Sequence, residues 1–166
     1  MTAEEAFETY HRAIFGFVYR RTQCTETAED ITQECFLVLL GAPARFDKTR
    51  GSLKTYLFAI ARNLTLKAWR DGRFEVPLEQ EQALKSADSS SMLEVFAIVE
   101  RAVAALPALQ QEALILFEYE GLSLEEISYV VDADVGTVKS RLYRARALLT
   151  RTLAPYKNAG ELHGRV

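Results

Sequence analysis

The stretch SLEEISYVVDADVGTVKSRLYRARALLTR, residues 123–151, decides the fold. Its apolar residues fall into two helical stripes. Leu124, Ile127, Val130 and Val131 form the first, and Val138, Leu142, Ala145 and Leu149 the second, at the three- and four-residue spacing that puts side chains on one face of a helix. Between them, Asp132-Ala133-Asp134 supplies a turn, because Asp tolerates left-handed backbone angles better than most residues with a Cβ. Ser123 followed by Glu126 forms a capping box that fixes where the first helix begins. From residue 136 to 151 there are five basic residues and no acidic one. Gly136, Lys139, Ser140, Tyr143 and Arg144 repeat on the face opposite the apolar stripe. A helical hairpin with such a one-sign outer face implies contact with duplex DNA in a major groove. A generic basic helix is a solvated face, but here stripe, turn and charge coincide.

Outward from this hairpin, charge alternates in blocks. Residues 41–74 hold eight basic and two acidic side chains, whereas residues 101–135 hold one basic and seven acidic, so the net charge of −3 conceals two basic islands. Each island is a candidate contact for a polyanion, because local field steers nucleic acid more than total charge does. Hydrophobic residues at 49% and charged residues at 26% imply a globular helical chain and exclude a disordered or fibrous one. No apolar run spans a bilayer and the N-terminus is acidic, so the expectation is a cytoplasmic protein with no direct membrane insertion. Cys24 and Cys35 lack metal-ligand spacing with His11 or His163, which predicts no metal site, no cofactor and reduced thiols.

The chain ahead of the hairpin is predicted to be mostly helical. Residues 3–23 carry Phe7, Tyr10, Ile14, Phe17 and Val18 on one face. Thr25 or Thr27 is expected to cap a second helix that runs to Leu40, with Ile31, Cys35, Val38 and Leu39 inward and Asp30, Gln33, Glu34 and Leu37 outward as a protein-docking ridge. Residues 41–51 read as a loop with an exposed Phe46. Ser52 caps a third helix to about Asp71, in which Lys54, Arg62, Lys67 and Arg70 alternate with Tyr56, Phe58 and Trp69. Cations that track phosphates beside rings that stack on bases suit single-stranded DNA, although any one of those rings can equally be core. The acidic, Pro- and Ser-containing residues 74–91 read as a flexible linker. Beyond it a helix over 92–106 should bury Leu93, Phe96, Ala102, Val103 and Leu106, and Pro107 should open another helix that ends at Gly121. The expected fold is therefore all-α, two small helical domains at 1–73 and 92–153, with a tail at 154–166.

Four runs, DITQECF at 30–36, FDKTRGSLKTYLFAIARN at 46–63, LPALQQEALILFEYEGLSLEEIS at 106–128 and GTVKSRLYRAR at 136–146, together resemble the extracytoplasmic-function sigma factors of the sigma-70 superfamily. The resemblance implies a non-enzymatic promoter-specificity subunit with partners in core RNA polymerase, at the β′ clamp coiled coil and the β subunit, and in promoter DNA. It also admits an anti-sigma factor, since many members are held inactive by one. Carried over position by position, Asp30, Gln33 and Glu34 match the motif that docks on the clamp. Phe46 and Asp47 match the loop that captures a flipped base of the −10 element, with Lys54, Arg62 and Asn63 on the adjoining helix near the strand. Gly136, Thr137, Lys139, Ser140, Tyr143 and Arg144 match the face that reads the −35 element as duplex, where Arg144 suits a bidentate contact to guanine. An operator-binding regulator of ordinary type would leave the 30–34 ridge and the 52–71 helix without a role. A mimic that only titrates an anti-sigma factor would not need the uninterrupted positive face at 136–151.

Overall fold

The computed structural model describes residues 1–75 and 92–163. Among these there is no strand, and seven α-helices form two bundles that pack together. The linker expected at 74–91 lies, from residue 76, outside the described residues.

The first bundle consists of α1 (Ala3–Thr22), α2 (Thr25–Gly41) and α3 (Leu53–Arg70). A capping box starts α1: the Thr2 hydroxyl accepts from the Glu5 amide at 3.2 Å, and the Glu5 carboxylate accepts from the Thr2 amide at 2.7 Å. Gln23, at φ 55°, turns the chain straight into α2. That turn leaves neither threonine in the capping position. Cys24 occupies it without a side-chain cap, and the buried Thr27 hydroxyl donates to the Cys24 sulfur at 3.3 Å. Ser52 does cap α3, accepting from the Thr55 amide at 3.1 Å. The bundle's core is Ile14, Phe17, Val18, Ile31, Cys35, Leu57, Phe58 and Ala61. Phe17 meets Phe58 edge-on at 5.5 Å between ring centroids, and each fully buried ring contributes roughly 1.5–3 kcal/mol. Of the three rings on α3, then, Phe58 is core, Tyr56 is half-buried and Trp69 is exposed.

In the second bundle, α4 (Met92–Ala104) and α5 (Ala108–Leu114) flank Pro107, which stands just before α5 at its N-cap. Gln111 reaches back from α5 and donates to the Val103 and Ala104 carbonyls, satisfying acceptors at the end of α4. Continuation of α5 is a π-helical turn, Ile115–Tyr119, and Gly121 at φ 69° then ends the helix as expected. The turn, α6 (Leu124–Val131) and α7 (Val135–His163) complete the bundle around Val103, Leu114, Leu116, Ile127, Val130, Val138, Leu142 and Ala145. Two expectations fail on α4. Leu93 is 80% exposed and Phe96 59%, because no described helix covers that end; burial begins only at Ala102 and Val103. Helix α7 runs through Pro155 to His163, so the tail set off from residue 154 continues the helix.

Candidate nucleic-acid interface

The hairpin at 124–151 has the predicted form. Ser123 accepts from the Glu126 amide at 3.1 Å while Glu126 accepts from the Ser123 amide at 3.0 Å, so α6 starts with a complete capping box. At the other end Asp132 takes φ 52°, the left-handed angle that turns the chain. The Ser128 hydroxyl donates to the Ala133 carbonyl and ties that turn down. Asp134 then accepts from the Thr137 amide at 2.7 Å, an N-cap for α7. This bond to the Thr137 amide comes first among the causes holding the Asp134 carboxyl below its ordinary value.

Beyond the cap, Val138, Leu142 and Ala145 are buried, and Gly136, Lys139, Ser140, Tyr143 and Arg144 are exposed on the opposite side, with Thr137 half-buried. Tyr143 is 76% exposed, a large ring presented to solvent. The five cations differ in availability. Arg146 is held by Glu118 at 3.0 Å and lies 5.2 Å from the centre of the Phe117 ring, and Arg141 is half-buried. Lys139, Arg144 and Arg151 are exposed and have no ion pair among the described residues, so their charges are free to meet a ligand. The Ser140 hydroxyl donates to the Gly136 carbonyl at 3.1 Å.

On α2, Asp30, Gln33 and Leu37 are exposed and Glu34 is half-buried, which forms the expected ridge. Arg73 reaches both of its carboxylates at 3.8 Å. A contact of that length between half-exposed groups is weak.

The candidate single-strand residues are divided. Phe46 was expected to be exposed, but it is half-buried, because its ring leans on Tyr56 at 5.3 Å. Asp47 is exposed and shapes the loop: its carboxylate accepts from the Thr49 hydroxyl at 2.6 Å and the Thr49 amide at 2.9 Å, and these two bonds draw its carboxyl below the ordinary value. A cleft of about 710 Å³ lies beside the loop, lined by Tyr10, Leu39, Leu40, Phe46 and Lys48 among others. Asn63 is exposed on α3. Lys54 and Arg62 are not free. Lys54 donates to the Glu120 carbonyl at 3.0 Å, and Arg62 grips Glu112 with two bonds, Nε to Oε2 at 2.9 Å and Nη2 to Oε1 at 3.1 Å.

Those contacts belong to a junction that the sequence reading missed. Glu112 on α5 is fully buried between Arg62 and Arg21. Arg21 Nη1 approaches Glu112 Oε2 at 3.2 Å, but without hydrogen-bond alignment. Burial pulls the Arg21 guanidinium below its ordinary value, Glu112 opposes that fall and Arg62 adds to it. Beside this triad, Arg20 stacks 4.1 Å over the Tyr119 ring and lies 3.5 Å from Glu100, while the Tyr119 hydroxyl donates to Glu100 at 2.8 Å. Thr55 donates to Glu126 at 3.0 Å. One signal was available in the sequence: the basic block at 41–74 and the acidic block at 101–135 are complementary in charge.

No cluster of metal-ligating side chains is present among the described residues, and no described helix is long and apolar enough to cross a membrane.

Comparison with known proteins places these parts in a family. Residues 6–75 match sigma-70 region 2 and residues 96–149 match sigma-70 region 4. The RNA polymerase sigma-H factor of Pseudomonas aeruginosa is 33% identical over 161 residues, covering 88% of this chain and 83% of that protein. The ECF RNA polymerase sigma factor SigM of Mycobacterium tuberculosis is 27% identical over 157 residues, covering 95% and 79%. Among solved structures, the sigma factor RpoE of Bartonella quintana, in complex with the anti-sigma factor NepR, superposes with a TM-score of 0.72 at 26% identity, covering 91% of this chain and 96% of that one. With both regions matched in order and the full-length relatives aligned along most of their length, the chain belongs to the sigma-70 family, in its extracytoplasmic-function branch.

Proposed function

We infer that the chain is a promoter-specificity subunit for bacterial RNA polymerase: it joins the core enzyme, brings it to promoters and assists strand opening, with bond-making left to the polymerase. The observation that carries this reading is the pairing, in one chain of the family, of an exposed α7 face bearing the unpaired cations Lys139, Arg144 and Arg151 with a separate ridge on α2.

Residues 1–73 form the part that docks on core polymerase and handles the −10 element. Asp30, Gln33 and Glu34 meet the β′ clamp coiled coil, since two carboxylates and an amide around the exposed Leu37 suit a polar rim about an apolar anchor. Phe46 lines the cleft, which is large enough for an unstacked base, Asp47 shapes the loop beside it, and Lys54, Arg62 and Asn63 follow the strand. Lys48, on the cleft wall, adds a cation to this set. Residues 92–153 form the −35 reader, in which Arg144 takes a base edge and Lys139 a phosphate. Work beside the polymerase places the protein in the cytoplasm, and the relative bound to NepR supports a protein inhibitor of that class as a further partner.

Reconstitution tests the reading. The purified chain added to core polymerase should yield transcripts from discrete start sites that core alone ignores. Duplex binding without any such transcript would reduce it to an ordinary helix-turn-helix regulator.

A further inference from the structure

We propose that Arg151 anchors α7 on the phosphate backbone beside the element that the helix reads: the cation stands on the exposed side of α7, past the residues that meet base edges, and fixes the register of the helix in the groove without taking part in base choice. This deepens the promoter-specificity reading and rests on it.

Three observations carry it. The first is position. Helix α7 is continuous through residue 151, and seven residues make about two turns, so Arg151 returns to the side that carries Arg144 and lies about 10 Å further along the axis. Gly136, Ser140, Tyr143, Arg144, Ala147 and Arg151 share that side and all are exposed. From Gly136 to Arg144 the helix rises about 12 Å, the width of a major groove. A side chain two turns further on stands over the groove wall, where the ligand offers phosphate and sugar rather than base edges. The second observation is approach. Between Arg144 and Arg151 this side carries only the methyl of Ala147, so nothing bulky holds a DNA backbone away from the helix. The third is freedom. Arg146 is held by Glu118 at 3.0 Å and rests on the Phe117 ring, and the Thr150 hydroxyl donates to the Arg146 carbonyl at 2.8 Å. Arg151 has no ion pair among the described residues, and residues 135–160 contain no acidic side chain that could claim it or repel a polyanion. Its planar fork suits two parallel bonds to one phosphate. The match to region 4 ends at residue 149, so that match does not reach this side chain. Exposure alone is what a solvated arginine also shows; alignment with Arg144 across the low surface at Ala147 is what points to a ligand.

Duplex binding by the full chain tests the proposal. The probe is a duplex that the parent selects from a random pool, prepared with flanks of one helical turn on both sides and again with either flank removed. On the fully flanked duplex Arg151→Ala should bind roughly fivefold more weakly, and the slope of log affinity against log salt should be shallower by about 0.9, the change expected when one phosphate contact is lost. The loss should be equal for every single-base variant of the element, leaving base preference as it was. Removing one of the two flanks should bring parent and variant to the same affinity, because the phosphate that Arg151 holds is then gone. Arg151→Lys, which keeps the charge, should recover the salt slope and most of the affinity, a rescue that a packing role would not give. Should the alanine variant lose its helicity by circular dichroism, Arg151→Gln carries the same comparison. An unchanged salt slope, or a gap between parent and variant that persists on every trimmed duplex, would overturn the proposal. A loss confined to particular base pairs would overturn it too, since Arg151 would then be a reader. Transcription by the parent with core polymerase judges the reading beneath it separately. If the parent starts at discrete promoters and the Arg151 variants leave the salt slope unmoved, only the proposal falls; if the parent starts nowhere, the promoter reading falls while the duplex measurements still decide the role of Arg151.

Discussion

Arg144 and Arg146 stand two positions apart on α7 and have different surroundings. Arg146 is bound to Glu118 and rests on the Phe117 ring, so its removal loosens the bundle. Arg144 touches no carboxylate among the described residues and keeps its planar fork for a ligand. Replacing it should therefore change recognition and leave folding alone. Arg144→Ala is expected to weaken binding to −35 duplex by about 1–3 kcal/mol and to relax preference at one base pair, with the melting temperature unmoved. Competition binding against single-base variants of the duplex checks this, and an unaltered preference would place the reading face elsewhere on α7. Asp134 shows the opposite allocation. In sequence it looks like an acidic intrusion beside phosphates, but its carboxylate caps the Thr137 amide and spares that donor from being left unpaired.

At the scale of elements, what the sequence made legible was whatever is local and one-sided. The α6–turn–α7 unit was readable because its stripes, its capping box and its left-handed Asp132 are set by near neighbours. The end of α4 was misread because period shows which face is apolar and not whether anything covers it, so Leu93 and Phe96 were assigned to a core that does not reach them. Glu112 was invisible for a related reason: one carboxylate among seven acidic residues gives no local sign that two arginines from another bundle will bury it. Glu126 joins both kinds of information, since it completes the α6 capping box and also receives Thr55 from α3. The Ser123 amide first, then the Thr55 and Ser123 hydroxyls and the nearby Lys54, hold its carboxyl below the ordinary value, against some desolvation. A depressed carboxyl contributes stability that is present above the unfolded value, near 4.3, and lost as pH falls through the lower folded one. Glu5, Asp47 and Asp134 act with the same sign, while Glu120, raised by burial, acts with the opposite one. Glu126→Gln should consequently lower the melting temperature at pH 6 and converge on the parent toward pH 3. Thermal melts across that range measure the difference, and a constant gap would mean the charge contributes nothing.

At the scale of the whole molecule, the proposed function divides its tasks between the two bundles, so a mutation can address them one at a time. The α2 ridge is made of Asp30, Gln33, Glu34 and Leu37, while the exposed α7 residues of the proposed duplex-reading face lie in the other bundle. Asp30 is exposed and has only the long contact to Arg73, so reversing its charge removes little from the fold. If the ridge docks on the clamp as proposed, a carboxylate that steers docking becomes a repulsive cation, which costs on-rate and specificity together. Asp30→Lys should therefore weaken binding to core polymerase by at least about tenfold, a loss of roughly 1.4 kcal/mol, while −35 duplex binding by the free chain stays within experimental scatter of the parent. The salt dependence of core binding should also fall, since one charge pair across the interface is gone. Titration of labelled chain with core polymerase at two salt concentrations, paired with duplex binding under the same conditions, gives both numbers. Equal loss of core and duplex binding would indicate a damaged fold, and unchanged core binding would remove the α2 ridge from the docking surface.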